Sequence, residues 1–378
     1  MDPIAHTLIG ATLAETRLRR VTALATPALL LGANAPDLDA ITLFMTRDVS
    51  LGFRRGWTHG ILAMVVLPLA LAGLLILVDR ARRRFAGSAR QNSPPLRPLA
   101  LLGVCSLAVW THPVLDWLNT YGVRFLMPFS GTWYYGDALF VVDPWVWLLA
   151  GTSVVLARST SRASVAAWMV LGVATTSLVT GFEGAPLATR LLWCAGVAGI
   201  VWLRATGRWR HALPRLATVC VSATAIYIIV MVAASRLAEE QVAAWLVQQG
   251  DDIPIEVMAS PAPGNPFRRD IVVADAEHYH FLELDWLRGL DPRVAARAID
   301  RRPRGPQVDA VIAAARTAPH VQGLLTWIRY PAYAVEETAD GYRVIITDAR
   351  YARRLSPLGA SVVELDRDLK VKPQELAP

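Results

Sequence analysis

Five polar side chains that can bind a metal lie at the ends of hydrophobic segments in the first third of the chain, and Asp39 lies close by. The five are His6, Asp37, His59, His112 and Asp116. Ionisable groups cost free energy in or near hydrocarbon, and they are retained there mostly when they have a function. A membrane-embedded metal site is therefore the leading hypothesis.

The strongest local signal is the spacing of His112 and Asp116. Residues four apart on a helix project from one face about one turn apart. A neutral imidazole and a carboxylate suit zinc or a similar divalent ion; alternatively, Asp116 orients the histidine as an outer partner. The pair gains weight because Asp37 and His59 fall on the same side of the membrane as the pair if each hydrophobic segment crosses once. His6 joins them if residues 1–14 run inward.

Two further residues are candidates for catalysis. Asp39 is the candidate general base, and Arg55 is the candidate partner of an oxyanion or a phosphate. Taken singly, each residue also has a structural interpretation. A histidine near a helix end is usually hydrogen-bonded, Asp37 after Pro36 could cap a helix, and Arg55 could be a loop charge.

Composition indicates a membrane protein. The chain is 54% hydrophobic and 18% charged, whereas soluble globular proteins carry about 25% charged residues. Apolar runs near the length of roughly 20 residues that spans a bilayer predict spans at residues 60–79, 99–118, 139–157, 164–181, 190–205 and 216–235. Residues 1–14 and 21–46 are apolar but interrupted, which predicts a helical hairpin or a re-entrant segment.

Charge distribution predicts the orientation. Residues 1–235 carry a net charge of +10 and residues 236–378 a net charge of −3. If each segment crosses once, 15 arginines of the membrane region lie on one side and 5 on the other. The positive-inside rule then places residues 80–98 in the cytoplasm and residues 236 onward outside. No basic face stands out in the C-terminal region, so nucleic-acid binding is not expected.

Residues 236–378 predict an extracytoplasmic domain. Strands are expected at residues 270–273, 279–284, 334–337 and 342–347, and helices at 241–249, 293–300 and 307–317. Asp340-Gly341 predicts a hairpin turn. The expected fold is a polytopic α-helical membrane protein with a C-terminal soluble α+β domain, divided into residues 1–235, which are membrane-embedded and hold the metal site, and residues 236–378.

Two smaller groups of residues receive a structural interpretation. His278 and His280 alternate on a predicted strand and so point to one face, but the sequence offers no third candidate ligand near them. We interpret them as structural or surface residues. The three cysteines, Cys105, Cys194 and Cys220, lie inside apolar segments, so a disulfide framework is not expected.

The first 150 residues resemble the bacterial membrane-bound metal-dependent hydrolases, also called the LexA-binding, inner-membrane-associated hydrolase family. The matching segments agree in order and spacing and are residues 2–10, 34–39, 55–60 and 112–122. The order of the histidines and aspartates is also distantly similar to that of zinc-dependent phospholipase C and related nucleases, which implies phosphoester chemistry. A second His-x3-Glu helix of the kind those enzymes use is not evident here, which places a three-metal site in doubt.

Residues and resemblance together predict a metal-dependent hydrolase of the bacterial inner (cytoplasmic) membrane. Its cofactor would be a divalent metal, with zinc the first choice, and its substrate a phosphoester or lipid-linked molecule at the extracytoplasmic interface, among membrane lipids. The alternative is a non-enzymatic structural or regulatory membrane protein whose metal only ties helices together. A transporter is less favoured, because the polar residues cluster at one face and no inverted repeat is visible.

Overall fold

The computed structural model describes residues 1–86, 94–207, 209–249, 256–352 and 359–373. Helices predominate up to residue 249. They are α1 Pro3–Glu15, α2 Ala25–Gly32, α3 Arg47–Phe53, α4 Ile61–Ala86, α5 Pro98–Trp117, α6 Pro144–Arg158, α7 Arg162–Gly181, α8 Leu187–Thr206 and α9 Leu213–Gln249.

Within the described residues, five helical segments are long and apolar enough to cross a membrane. They are Ile61–Arg84, Pro98–Trp117, Arg162–Gly181, Leu187–Thr206 and Arg210–Gln249. The chain is therefore a polytopic helical membrane protein, as predicted. The segment predicted at residues 139–157 differs, because its helix α6 begins only at Pro144, after the capping side chain of Asp143, and has 15 residues. A helix of that length rises about 22 Å, short of the roughly 30 Å hydrocarbon core.

The interrupted apolar region at the N-terminus forms short helices. The carboxylate of Asp2 accepts the backbone N–H groups of Ile4 and Ala5 and so caps α1, with Pro3 in the first turn. Helix α1 has 13 residues and α2 has 8, and 3₁₀ turns follow them at Arg17–Arg20 and Ala35–Phe44. Helix α1 carries His6, and the 3₁₀ turn after α2 carries Asp37.

Two glycines let these short helices approach their neighbours closely. A Cβ on Gly10 of α1 would lie 2.6 Å from the carbonyl oxygen of Leu29, and a Cβ on Gly32 of α2 would lie 2.7 Å from the Cβ of Ala108 on α5. Leu29 and Ala108 are fully buried. The end of α2 is thus held against the middle of α5, one turn before His112.

Beyond residue 255 the structure contains two antiparallel sheets. The first has the order β1-β2-β3-β4 and the second the order β5-β6-β7, which confirms the predicted α+β class. The strands are β1 Glu256–Ala262, β2 Asn265–Ala274, β3 His278–Asp285, β4 Gly289–Asp300, β5 Pro331–Thr338, β6 Gly341–Asp348 and β7 Ala360–Asp366, and the helices are α10 Val308–Ala315, α11 Gln322–Trp327 and α12 Ala349–Ala352.

One predicted element in this region is wrong. Residues 293–300, predicted to be a helix, belong to strand β4. This strand pairs antiparallel with β3, with His278 opposite Asp300 and Leu282 opposite Val294. The arginine- and alanine-rich composition favours a helix only weakly, and pairing along the edge of β3 overrides it. The hairpin predicted at Asp340-Gly341 is confirmed by the pairing of β5 with β6.

The chain divides into two compact units. The first comprises Met1–Leu38, Arg55–Ser235 and Ser260–Phe267, and the second Asp39–Arg54, Arg236–Ala259 and Arg268–Pro378. They differ from the predicted domains, 1–235 and 236–378, in two segments, residues 39–54 and 260–267. Within the second unit, the carboxylate of Asp48 accepts the N–H groups of Gly323 at 2.7 Å and Leu324 at 3.1 Å. These hydrogen bonds explain why residues 39–54 belong to this unit.

The close approach of α2 and α5 predicts an asymmetry between two glycine variants. We expect Gly32→Ala to destabilise the protein by about 1–3 kcal/mol, because the added methyl overpacks the contact with Ala108. The control Gly103→Ala on α5 adds its methyl to open space and should be neutral, or stabilising by up to about 1 kcal/mol. Thermal unfolding of both variants in detergent measures the difference, and equal stability of the two would contradict this packing.

Candidate metal centre

The carboxylate of Asp116 lies at the centre of the site, in the last turn of α5, with its side chain 1% exposed. Its Oδ1 lies 3.2 Å from Nε2 of His6, and its Oδ2 lies 3.2 Å from Nε2 of His59. His112, one turn earlier on the same helix, places its Nε2 3.5 Å from Oδ2. Three histidines, from α1, from the turn before α4 and from α5, therefore converge on one buried carboxylate.

The tautomer of His112 follows from its backbone contact. Its Nδ1 lies 2.7 Å from the carbonyl oxygen of Ala33. Because a carbonyl only accepts, Nδ1 carries a hydrogen, and in the neutral ring the lone pair is on Nε2. This Nε2 faces Asp116 and also Oδ1 of Asp37, 3.5 Å away, and makes no hydrogen bond of ordinary geometry within the described part of the chain. A lone pair between two carboxylates is repulsive, so a proton or a metal cation has to lie there.

The spacing of the donor atoms fits a metal. Charge-assisted hydrogen bonds are typically about 2.7–2.9 Å long, whereas ligands about 2.0–2.2 Å from a tetrahedral zinc are roughly 3.3–3.6 Å apart. The contacts between the imidazole Nε2 atoms of His6, His59 and His112 and the two carboxylates measure 3.2–3.5 Å. One ligand atom each from Asp37, His59, His112 and Asp116 lie within 4.8 Å of one another. Two imidazoles and two carboxylates are a donor set suited to a divalent ion.

Asp37 lies in the 3₁₀ turn that follows α2, and its side chain is 19% exposed, unlike the fully buried His112. Burial raises the pKa of the Asp37 carboxyl, but the neighbouring His112 outweighs that effect and lowers the pKa to about 2. The carboxylate is therefore ionised at neutral pH. Asp37 is the one partly exposed residue of the four, since His59, His112 and Asp116 are buried.

His6 lies beside the four-residue set. Its ring stacks on that of His112, with centroids 3.6 Å apart and planes 12° apart. Its Nδ1 is buried and has no hydrogen-bond partner in the part of the chain that the structure describes. The stacking and the contact with Asp116 place His6 against the centre, and its predicted role as a ligand stays a prediction.

Positive groups cluster on one oxygen of Asp116. Nη2 of Arg55 lies 3.0 Å from Oδ1, and the amine of Met1 also pairs with Oδ1. Oδ2 faces His59 and His112 instead. Oδ1 thus contacts Arg55, the Met1 amine and His6, while Oδ2 faces His59 and His112. The same carboxylate can in this way pair with Arg55 through Oδ1 and offer Oδ2 as a ligand atom.

Arg55 is held in place by protein acceptors. Its backbone has a positive φ of 53°, and its Nη1 donates to Oδ1 of Asn119 at 2.8 Å. Its guanidinium carbon lies 4.6 Å from the centroid of the Tyr121 ring, within the range of a cation–π contact. These contacts make Arg55 a positioning residue for Asp116. Its predicted role toward an oxyanion or phosphate stays a prediction.

Asp39 is not among the four residues of the set and belongs to the second compact unit. Its Oδ1 lies 3.9 Å from Nε of Arg54, and its carbonyl accepts the hydroxyl of Thr42 at 2.7 Å. The predicted role of Asp39 as general base therefore stays a prediction.

Several supporting groups were not predicted. Oγ1 of Thr58 lies 2.9 Å from Nδ1 of His59, and Asn119 binds Arg55. Both residues stand in the sequence motifs, next to His59 and three residues after Asp116, so a search for outer partners of the ligands would have found them. The Ala33 carbonyl and the Met1 amine carry no such side-chain signal.

The part of the chain that contains the candidate metal centre is similar to a known protein family. Residues 1–185 match the YdjM inner membrane protein family. The match contains every residue of the metal set and, together with the five apolar helices, supports a membrane location. It supports the inner-membrane part of the predicted family resemblance, while hydrolase activity stays a prediction.

A curated relative is the uncharacterized protein YfhP of Bacillus subtilis (strain 168), which is 27% identical over 121 residues. The aligned region covers 32% of this chain and 33% of that protein, so the chain spans about a third of its relative. No solved structure matches the chain.

The two carboxylates should differ in their effect on stability. We expect Asp116→Asn to destabilise the protein by about 3–5 kcal/mol, because it leaves the buried Arg55 without its charge partner. Asp37→Asn, at the exposed edge, should cost less than about 1.5 kcal/mol. Thermal unfolding in detergent compares the two, and an equal or larger loss in Asp37→Asn would contradict the central position of Asp116.

Proposed function

We propose that this protein is a metal-dependent hydrolase of the inner membrane. A divalent metal, zinc by its donor set, would be held by Asp37, His59, His112 and Asp116, with His6 against them. The observation that carries the proposal is the buried Nε2 of His112, which points between two carboxylates at 3.5 Å each. A resident cation would remove the repulsion between this lone pair and the two carboxylates, as a proton on Nε2 would, and the measurement of metal content below distinguishes the two.

When bound, a divalent metal polarises the scissile group and activates water for attack on it. The chain orients the donors for this task. The Ala33 carbonyl fixes the ring of His112, Thr58 contacts that of His59, and Arg55 holds the Asp116 carboxylate from its other oxygen. Such outer contacts orient metal ligands and tune their basicity.

Exposed apolar side chains next to the ligands support an amphiphilic substrate. Leu38 follows Asp37 directly and Trp57 precedes His59 by two residues, and both are exposed. Side chains of this kind are compatible with lipid tails. A phosphoester or otherwise lipid-linked substrate, approached from the extracytoplasmic interface, agrees with the metal chemistry and with these surfaces.

The second candidate is a structural metal centre without catalysis. It is favoured by the nearly complete burial of His6, His59, His112 and Asp116, because structural zinc sites are closed, whereas catalytic sites keep an open position. The partial exposure of Asp37 favours the catalytic alternative. The two candidates make different predictions about chelation.

The test uses detergent-purified full-length protein, whose metal content is measured and which is then screened against soluble phosphoesters and phospholipids. We expect that the protein hydrolyses at least one of these substrates, that chelation abolishes the hydrolysis and that zinc restores it.

His112→Ala should lower turnover at least about a hundredfold, since loss of even an outer partner of a metal ligand costs 10–100-fold. His211→Ala, which removes an exposed histidine of the 3₁₀ turn Arg210–Ala212, is the matched control. Bound metal whose removal unfolds the protein, with no substrate turned over, would favour the structural centre.

The proposed orientation has its own test. A reporter fused after residue 378 should behave as extracytoplasmic, and one inserted within residues 80–98 as cytoplasmic, provided that the short helix α6 crosses the membrane together with the five longer helices, since only then do the arginines of the membrane region lie mostly on one side. Paired fusions to alkaline phosphatase and a fluorescent protein measure both positions. The reverse pattern would overturn the extracytoplasmic placement of the site's substrate.

A further inference from the structure

Two histidines share the solvent face of strand β3. His278 and His280 are two residues apart, so their side chains project from the same side of the sheet, and their rings are 5.8 Å apart. Both are partly exposed, whereas Tyr279 between them is buried on the opposite face. The sequence offered no third group near this pair, and the structure supplies one.

That third group is Asp275, in the turn between β2 and β3. Its Oδ1 accepts the backbone N–H groups of Glu277 at 2.7 Å and of His278 at 2.6 Å. Its Oδ2 lies 2.6 Å from Nε2 of His280. The turn therefore fixes the carboxylate in position, with one oxygen directed at the histidine pair.

We propose that Asp275, His278 and His280 form a second metal site, which takes a divalent ion of the zinc class. One ligand atom from each residue lies within 4.8 Å of the others. Two imidazoles and one carboxylate are the protein ligands of many zinc sites with an open position. All three come from one hairpin, whose strand and turn hold them in place before the ion binds.

The surroundings supply a further acidic group and leave the site accessible. Asp300 lies opposite His278 in the register of β3 and β4, and its Oδ1 is 3.3 Å from Nε2 of His278. His278 and Asp300 also line an open cleft of about 1360 Å³. An ion and its remaining ligands can therefore enter from solvent.

Nearby arginines are engaged elsewhere. The guanidinium of Arg301 lies over the ring of Tyr279, 5.2 Å from its centroid, and donates to the Asp275 carbonyl. Arg304 pairs with Glu277. Neither guanidinium contacts Oδ2 of Asp275, whose partner is Nε2 of His280 at 2.6 Å, so a bound ion has only this one side-chain hydrogen bond to replace.

The test is zinc binding by the full-length protein in detergent, measured as zinc per chain by mass spectrometry after dialysis against zinc buffered by a chelator. The variant His278→Gln/His280→Gln should retain one zinc per chain fewer than the wild type. The control His320→Gln removes a histidine of the same unit, whose Nε2 donates to the Val362 carbonyl at 3.1 Å, and should keep the wild-type value.

A second variant tests the site with a smaller change, which is less prone to disturb the fold. Asp275→Asn keeps an oxygen that can accept the two turn N–H groups and loses the charge, and it should weaken zinc binding at this site at least about tenfold. Thermal unfolding without zinc shows whether each variant is folded. Unchanged zinc stoichiometry and affinity in the folded histidine variant, or in folded Asp275→Asn, would overturn the proposal.

The variant Asp37→Asn, measured in the same zinc-binding assay, separates zinc bound at the membrane centre from zinc bound at the hairpin site. If both sites bind zinc, the losses in Asp37→Asn and in the histidine variant add. If only the hairpin site binds, the wild type retains one zinc, Asp37→Asn retains it, and the histidine variant retains none. The two proposals therefore succeed or fail separately.

Discussion

The buried charge of Asp116 is the constraint on which the rest of the site depends. An isolated carboxylate in a low-dielectric interior costs several kcal/mol even after relaxation, and here it is compensated from two directions. Arg55 pairs with Oδ1, which the Met1 amine also contacts, while His59 and His112 face Oδ2. These partners come from the N-terminus, from the segment before α4 and from α5 itself, so the geometry of the carboxylate depends on how these parts pack together.

That packing is achieved by small residues. Gly10 and Gly32 allow α1, α2 and α5 to approach within contact of backbone atoms and methyl groups. As a result the end of α2 delivers the Ala33 carbonyl to His112, and the following 3₁₀ turn delivers Asp37. Association of helices in a membrane relies on such close packing, because lipid removes the hydrophobic driving force between them. Gly10 and Gly32 contribute no ligand atom, but the close packing that they allow positions the groups that contact His112.

Much of this could be predicted, for identifiable reasons. The ligand candidates are evident from the sequence because ionisable residues stand out in apolar segments, and because the four-residue spacing of His112 and Asp116 places both side chains on one face of a helix. The role of Arg55 was less evident, since its contact with Asp116 depends on a loop with positive φ. The composition of residues 293–300 predicts a helix, whereas these residues form part of strand β4 because they pair with β3. The sequence does not identify the third group beside His278 and His280, because Asp275 reaches them through a turn.

We propose that the histidine and aspartate cluster of the membrane region holds a divalent metal. Zinc X-ray absorption on the purified full chain, in the His278→Gln/His280→Gln background so that one centre contributes, tests it most directly. The account predicts stoichiometric zinc with nitrogen and oxygen ligands at about 2.0–2.2 Å, clear imidazole scattering and no sulfur shell near about 2.3 Å. Absence of retained zinc, a sulfur shell, or a shell without imidazole would contradict it.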